Sequence, residues 1–274
     1  MERKLKKECR VQYLLPSELH ERMKELPLIY LPLAPLEWHG PHLAVGTDPI
    51  IAEQVTLAVA ERIGGVVLPT LYMGTERERS DAMLKSLGFK KGEYVVGMDF
   101  PEAKGLYKSF YFPEEVFSLT VRYHIELCIE HGYKYIFIVN GHGADNHNDV
   151  LRRLCREYSN KVKGVTTAYA MACSDEEFKK GNLSHAGIDE TSQMMYFNQD
   201  YVDLKKLPPV KDKLKYKHYS IVDNGGFSGS PGEGFAVPGK LDPRKYSNAA
   251  NGKRIFENTV CDVERKVKAS FKIK

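Results

Sequence analysis

The chain has 274 residues, 42% of them hydrophobic and 28% charged, which is long enough to bury a sizeable core and excludes a disordered protein. Its 40 basic against 36 acidic residues leave a net charge of +4, gathered in the terminal runs MERKLKK and ERKVKASFKIK, which read as solvated ends and not as a nucleic-acid surface with interleaved aromatics. Five scattered cysteines (Cys9, Cys128, Cys155, Cys173, Cys261) form no C-x-x-C pair and suggest neither a disulfide framework nor a structural zinc site; they suit a reducing cytoplasm, and no apolar stretch has the form of a membrane span or a signal peptide.

In chain order, LIYLPL (28–33) reads as a short buried strand closed by Ala34 and Pro35. From Pro49 the pattern turns helical: Ile50, Ile51, Val55, Val59 and Ile63 recur on one face until Gly64 and Gly65 stop it. VVLPTLY (66–72) follows as the next strand. Residues 74–112 mix charges, glycines and aromatics without periodicity and are expected to form a substrate-facing insertion or an oligomer contact. A helix over 113–133, opened by Pro113 and stopped near Gly132, precedes a strand, YIFIV, that runs into the turn NGHG. Next come a helix near 146–159, a strand near 164–170, a helix from about Asp189 to Phe197, a Gly/Ser/Pro-rich loop at 224–234 and a C-terminal helix from about Ser247. The alternation predicts an α/β fold, a parallel-sheet sandwich with helices on both faces, as a single domain over residues 1–274.

Open parallel sheets bind ligands beyond the carboxyl ends of their strands, where loops converge and helix N-termini point inward. There the first strand runs into EWHGPHLAVGTD (37–48), and the strand at 135–139 runs into the turn that holds His142. On extended chain Glu37 and His39 project to one side, so both can reach one metal ion. Asp48 returns to the same end because it starts the next helix, although Asp before Pro, taken alone, is first of all an N-cap signal. A lone His39 or His42 would be a hydrogen-bonded loop histidine. Together, two carboxylates and an imidazole in one loop would repel or lose solvation if buried, whereas a divalent cation offsets their charge and takes the imidazole lone pair.

The glycines flanking His142 leave its ring unobstructed. His147 and Asp145 can simply cap the following helix; Asp189 and Glu190 lie at a helix start, where the dipole favours carboxylates as much as a ligand role would. Nitrogen and oxygen donors without cysteine suit Zn²⁺, Mn²⁺ or Fe²⁺. Several carboxylates allow two ions sharing one acid, a pair that lowers the pKa of a shared water to about neutral and clamps a developing oxyanion, so hydrolysis is the expected reaction class.

At these residues the sequence resembles the creatininase family, the creatinine amidohydrolases. The signature E-x-H-G-P-H-L-P-x-G-T-D matches Glu37 to Asp48, with Ala44 in place of proline. N-G-H-G-G-N matches from Asn140, with Ala144 and Asp145 in its last two places; H-A-G-x-x-E-T-S matches His185 to Ser192 in full; GFSGSPGEG and SNAANGKRIFE are similar to the family's closing segment. The resemblance runs from about residue 28 to the C-terminal helix. It implies a hydrolase with two divalent ions per subunit, assembled as a homo-oligomer, a hexamer, and acting on a small-molecule substrate. By motif, Glu37 and His142 would bind one ion, Asp48 would bridge, and His39 would bind the other. Glu190 is the candidate for the remaining carboxylate, because the glutamate that creatininase carries two residues after the His142 position is Ala144 here. The resemblance also makes His185 a candidate either to support the metal ligands from behind or to transfer a proton, with Glu190 the second catalytic candidate.

Two departures concern the substrate. Family members acting on cyclic amides commonly carry G-x-S-x-x-H after the second strand and F-P-G-T before the third helix; here the text is MGTERERSDAM and KGLYKSFYFPEEVF, which disfavours creatinine itself. Arg77, Arg79, Lys104, Lys108 and Tyr111 are candidates to contact a polar, hydroxyl-rich or anionic substrate, although a solvated charged face accounts for most such residues. The expected function is metal-dependent hydrolysis of a small polar cyclic substrate, by amide ring opening or deformylation-type chemistry. The alternatives are hydrolytic carbon–carbon ring opening of a cyclic polyol ketone and a metal- or ligand-binding module without catalysis. NGGFSGSPGEG (224–234) lacks both the lysine and the preceding strand of a phosphate-binding loop and reads instead as a mobile lid over the pocket.

Overall fold

The computed structural model describes residues 8–273, so the basic run at 1–7 lies outside the described residues. Helix α1 (Pro16–Glu25) leads into strand β1 (Leu28–Leu33), helix α2 (Thr47–Ile63) and the two-residue strand β2 (Val66–Val67). A short α3 (Asp81–Ser86) is followed by α4 (Glu114–Glu130), β3 (Tyr135–Asn140), α5 (Asp145–Lys161) and β4 (Thr166–Met171). Then come α6 (Asp175–Lys179), β5 (Ser184–His185), α7 (Ile188–Phe197), α8 (Tyr216–Tyr219), β6 (Val222–Asp223), α9 (Asn224–Phe227), α10 (Pro243–Tyr246) and the long α11 (Ala249–Phe271).

Four strands form one parallel sheet in the order β2-β1-β3-β4, and β5 pairs with β6 antiparallel. β1 is an unbroken apolar run because both of its faces are covered. Leu28 and Tyr30 belong to a core with Val55 and Val59 of α2, Met194 of α7 and Val260 and Val263 of α11; Ile29, Leu31 and Leu33 belong to a second core with Phe117 and Val121 of α4 and Leu151 and Leu154 of α5. That alternation is the two-residue period of a strand, and the two cores are the two layers of the expected sandwich. Pro32 is tolerated inside β1 because its carbonyl, which accepts from the Leu71 N–H at 2.9 Å, points to the side where β2 has already ended; the missing N–H would point the same way.

The strand expected over 66–72 is shorter than its apolar pattern suggests. It pairs only at Val66 and Val67, with an isolated bridge from Leu33 to Leu71, since Pro69 lies between and cannot donate to a ladder. Residues 74–112, unreadable by period, build a third apolar cluster in which Leu84, Leu87, Phe89, Met98 and Phe100 pack with Tyr216 and Val222. The stretch at 224–234 is not loop throughout: the Asp223 carboxylate accepts from the Gly225 and Gly226 N–H groups and starts α9. Helix α1 has no counterpart in the sequence reading; Pro16 opens it, and Glu18 accepts from the Leu15 N–H at 2.8 Å. All five cysteines are unpaired. Among the described residues no helix is long and apolar enough to cross a membrane.

Candidate active site

The carboxyl ends of β1, β3 and β4 open onto a cavity of about 480 Å³. Glu37 reaches it from the loop after β1, Asp48 from the first turn of α2, His142 from the turn after β3, and His185 and Glu190 from β5 and α7. Asp48 is not a cap. Helix α2 begins at Thr47, its N-cap residue is Gly46, and the Asp48 side chain turns inward and is buried. Gly141 sets its surroundings: it extends the ladder by donating to the Leu33 carbonyl at 3.0 Å, and a Cβ at this position would lie 2.3 Å from the Asp48 carbonyl oxygen. Only glycine lets the turn carrying His142 close against the start of α2.

Asp48 divides its two oxygens between two partners. Oδ1 lies 3.0 Å from His39 Nε2, and Oδ2 lies 3.2 Å from His142 Nδ1. Glu37 Oε2 is 3.1 Å from the same His142 nitrogen, and Glu190 Oε2 is 3.6 Å from His39 Nε2. Glu37, Asp48 and His142 therefore form one group and His39, Asp48 and Glu190 a second, each with ligand atoms within 4.8 Å of one another; Glu37, His39 and His185 form a third. Donors bound to one cation at about 2.1 Å stand roughly 3.0 to 3.4 Å apart, so these spacings fit two cations that share Asp48. Among the described residues, the ion pairs to these three carboxylates come from imidazoles alone.

Two of the imidazoles are aimed from behind. The His39 Nδ1–H donates to the Glu37 carbonyl at 3.1 Å, which turns Nε2 toward Asp48 and Glu190. The His185 Nε2–H donates to the Trp38 carbonyl at 2.8 Å and leaves Nδ1 as the acceptor nitrogen. His142 is placed through its backbone, whose N–H donates to Asn140 Oδ1 at 2.8 Å while Asn140 Nδ2 donates to its carbonyl at 2.7 Å. Glu190 accepts the Ala186 N–H at 2.6 Å, and Ala186 makes that bond, fully buried, from a left-handed conformation with φ 55°.

Charge follows the same geometry. Burial lowers His39, but Asp48, Glu190 and Glu37 overcome it and push His39 up to about 10. Burial likewise opposes the charge on His142, and Glu37 and Asp48 outweigh it, holding His142 well above the usual imidazole range. Burial raises Glu37, yet the facing imidazoles, His142 foremost, keep it well below the usual carboxylate range. Burial drives Glu190 well above that range against the pull of His39. Burial and the charge of His39 press His185 down to about 4, so its ring is neutral at pH 7. The facing carboxylates thus favour the charged form of both His39 and His142.

A sequence model described as creatinine amidohydrolase matches residues 13–91 and 93–267. The chain belongs to the creatininase family. It is 26% identical to the creatinine amidohydrolase of Pseudomonas putida over 266 residues, 89% of this chain and 90% of that one. Among solved structures, creatininase Mn superposes with a TM-score of 0.66 at 21% identity, covering 96% of this chain and 99% of its own. A mutant creatininase of Zn-Zn type superposes with a TM-score of 0.66 at 20% identity, over 97% and 99%. The parallel sheet flanked by helices is thus the creatininase fold, and the family places the chain among the metal-dependent hydrolases.

Within this creatininase-family site, some residues singled out by the sequence do not join the three groups. His42 Nε2 bonds Thr191 Oγ1 at 3.1 Å, and burial lowers the ring to about 3, so it is a neutral buried histidine. His147 Nδ1 accepts the Thr75 N–H at 3.3 Å, and the ring packs on Phe117 at 4.3 Å between centroids. Asp145 is exposed at the cavity wall, and α5 has no side-chain cap. Of the basic residues weighed as substrate contacts, Arg79 lines the cavity, while Arg77, Lys104 and Lys108 are exposed outside it. Tyr111 faces the site from behind and donates its hydroxyl proton to Glu37 Oε1 at 2.5 Å. Sequence reasoning missed the Trp38 carbonyl, the Ala186 N–H and Ser184, whose hydroxyl donates to Asp189 at 2.5 Å. Two of these are backbone groups, which residue type does not reveal.

Proposed function

We propose that the chain hydrolyses a small polar cyclic amide, breaking a ring C–N bond, with Glu37, Asp48 and His142 holding one divalent cation and His39, Asp48 and Glu190 a second. The observation that carries this reading is the division of Asp48 between His39 and His142 at 3.0 and 3.2 Å. When bound, Zn²⁺ or Mn²⁺ at such a pair supplies Lewis acidity to a carbonyl oxygen and brings a water toward ionisation near neutral pH. The chain's own residues hold, aim and move protons. His185, neutral and anchored through Nε2, takes the proton as the water oxygen adds to the carbonyl carbon. It returns that proton to the ring nitrogen as the C–N bond breaks, leaving a carboxylate and an amine. Glu190, which lines the same cavity, is the second proton carrier.

The relative's name, a creatinine amidohydrolase, favours amide cleavage over carbon–carbon ring opening and over a module without catalysis. Glu76, Arg79, Met83 and Met98, all from the segment that departs from the family motifs, wall the cavity and favour a substrate other than creatinine. A panel of cyclic ureides, imides and lactams assayed with Zn²⁺- or Mn²⁺-loaded protein tests the reading. Turnover of at least one member, stopped by a chelator, is expected; a panel without one substrate would overturn amide hydrolysis.

Arg79 is the residue we expect to read the substrate's remote side. Its Nε–H donates to the Gly97 carbonyl at 3.0 Å and Nη2 to Glu76 at 2.7 Å, leaving Nη1 without a partner among the described residues. A hydrogen bond from a charged donor is worth roughly 1.5–3 kcal/mol, so Arg79→Gln should raise KM about tenfold or more with kcat nearly unchanged. Equal KM values would remove Arg79 from the binding surface.

Metal loading should displace protons. His39, at about 10, holds a proton at pH 8 without a cation and must lose it to bind one; the facing carboxylates shift His142 in the same direction. Loading at pH 8 should therefore release at least one proton per chain, countable by calorimetry in buffers of different ionisation enthalpy. The sign for stability follows from the same shift: raised His39 stabilises the metal-free fold fully below its reference value of 6.5, and that contribution is lost as the pH rises through about 10. A metal-free unfolding temperature that climbs from pH 7 to 10 would contradict the raised His39.

A further inference from the structure

The two oxygens of Glu37 do different jobs. Oε2 faces His142 Nδ1 at 3.1 Å, with His39 Nε2 at 4.0 Å, whereas Oε1 is engaged by the Tyr111 hydroxyl at 2.5 Å. The phenol oxygen is itself held, because it accepts the Met98 N–H at 3.3 Å. Gly97, in a left-handed conformation with φ 54°, makes room for it: a Cβ there would stand 2.4 Å from the Tyr111 hydroxyl oxygen. The backbone around Tyr111 is laced to the backbone around Glu37. The Trp38 N–H donates to Ser109 Oγ at 2.9 Å, the Phe110 N–H donates to the Leu36 carbonyl at 2.8 Å, and Ser109 Oγ–H donates to Asp99 at 2.6 Å. The phenol is thus clamped from three sides and presents its proton to one carboxylate oxygen.

From this we infer that Tyr111 is a positioning residue for one cation only, the one held by Glu37, Asp48 and His142, and that it acts by fixing the Glu37 carboxylate so that Oε2 alone is offered. The inference rests on the ligand set proposed above. Its physical basis is that a ligating carboxylate free to rotate loses orientation each time it binds, and removing a partner that holds such a ligand typically weakens metal affinity about 10–100-fold. Among the described residues Tyr111 makes no hydrogen bond to Asp48 or Glu190, and its ring lies 6.1 Å from that of His142. The second cation, held by His39, Asp48 and Glu190, should not register the change.

Titration of metal-free protein with Mn²⁺, read by calorimetry, separates the outcomes. Wild type should take up two equivalents. Glu37→Gln should lose one of them outright, and Tyr111→Phe should keep both but bind one of them about 10–100-fold more weakly, with the other unchanged. Gly97→Ala, which retains the phenol and pushes on it, should weaken the same equivalent. If Glu37→Gln titrates like wild type, the ligand set fails and this inference with it. If Glu37→Gln loses one equivalent while Tyr111→Phe matches wild type, or weakens both equivalents alike, the ligand set stands and the role of Tyr111 is overturned. Unfolding temperatures of the metal-free variants accompany the titrations, and failure of both Tyr111→Phe and Gly97→Ala to fold would make Tyr111 an element of the fold, which also overturns the inference.

Discussion

Asp48→Ala should reduce turnover roughly a thousandfold or more and leave less than one equivalent of metal per chain. The reason is geometric: Oδ1 and Oδ2 face different imidazoles at 3.0 and 3.2 Å, and Asp48 belongs to two of the three groups of candidate ligands, the two proposed to hold the cations. Without it, each of those two groups keeps only two donors, Glu37 with His142 and His39 with Glu190. Loss of the several kcal/mol that a cation contributes to charge stabilisation corresponds to about three orders of magnitude in rate. A helix-start role predicts something else, about 1 kcal/mol of lost stability with metal content intact. Metal analysis and turnover of the folded variant decide between them, and intact activity would contradict the shared carboxylate.

Gly141→Ala should destabilise the fold by about 3 kcal/mol, the upper end of what an added methyl does to a packed interior. The new Cβ would meet backbone and not a movable side chain, with the Asp48 carbonyl oxygen at 2.3 Å and its carbon at 2.8 Å. Neither partner retreats easily, because Gly141 is tied to the Leu33 carbonyl and Asp48 lies in the first turn of α2. The strain falls on the junction that brings His142 to Asp48, so metal affinity should fall with stability. Gly143→Ala is the matched control: nothing lies within 4 Å of its Cβ position, and the change should be nearly neutral. Denaturant unfolding of the two variants checks this, and equal midpoints would mean that the junction yields.

Much of the layered fold was legible because its signals are local. The apolar run Leu28–Leu33, the one-face spacing from Ile51 to Val59 and the glycine stop at Gly64 each act over a few residues, and the strand and helix they predict are present. Legibility ended where pairing depends on a distant partner. The pattern at 66–72 is as apolar as β1, but only Val66 and Val67 find a neighbouring strand. Residues 74–112 carry no period because they are shaped by packing on Tyr216 and Val222, more than a hundred residues downstream. At the site, the clustering of Glu37, His39 and Asp48 pointed to a cation, and the structure does bring them together; the capping role that Asp48 would have had alone is absent. Tyr111, by contrast, sat in the stretch that departs from the family motif and carried no signal that it would reach Glu37.

Residue chemistry and short-range spacing were therefore sufficient to determine the class of fold, the end of the sheet at which the ionisable groups meet and the donor types gathered there. Tertiary structure alone decided which Asp48 oxygen meets which imidazole, since His142 lies 94 residues away and arrives only because β3 pairs with β1. It also decided which histidines stay neutral and which Glu37 oxygen is already taken. Those properties arise from distances of about 3 Å between groups far apart in the chain, and such distances are set by packing, which no local pattern encodes.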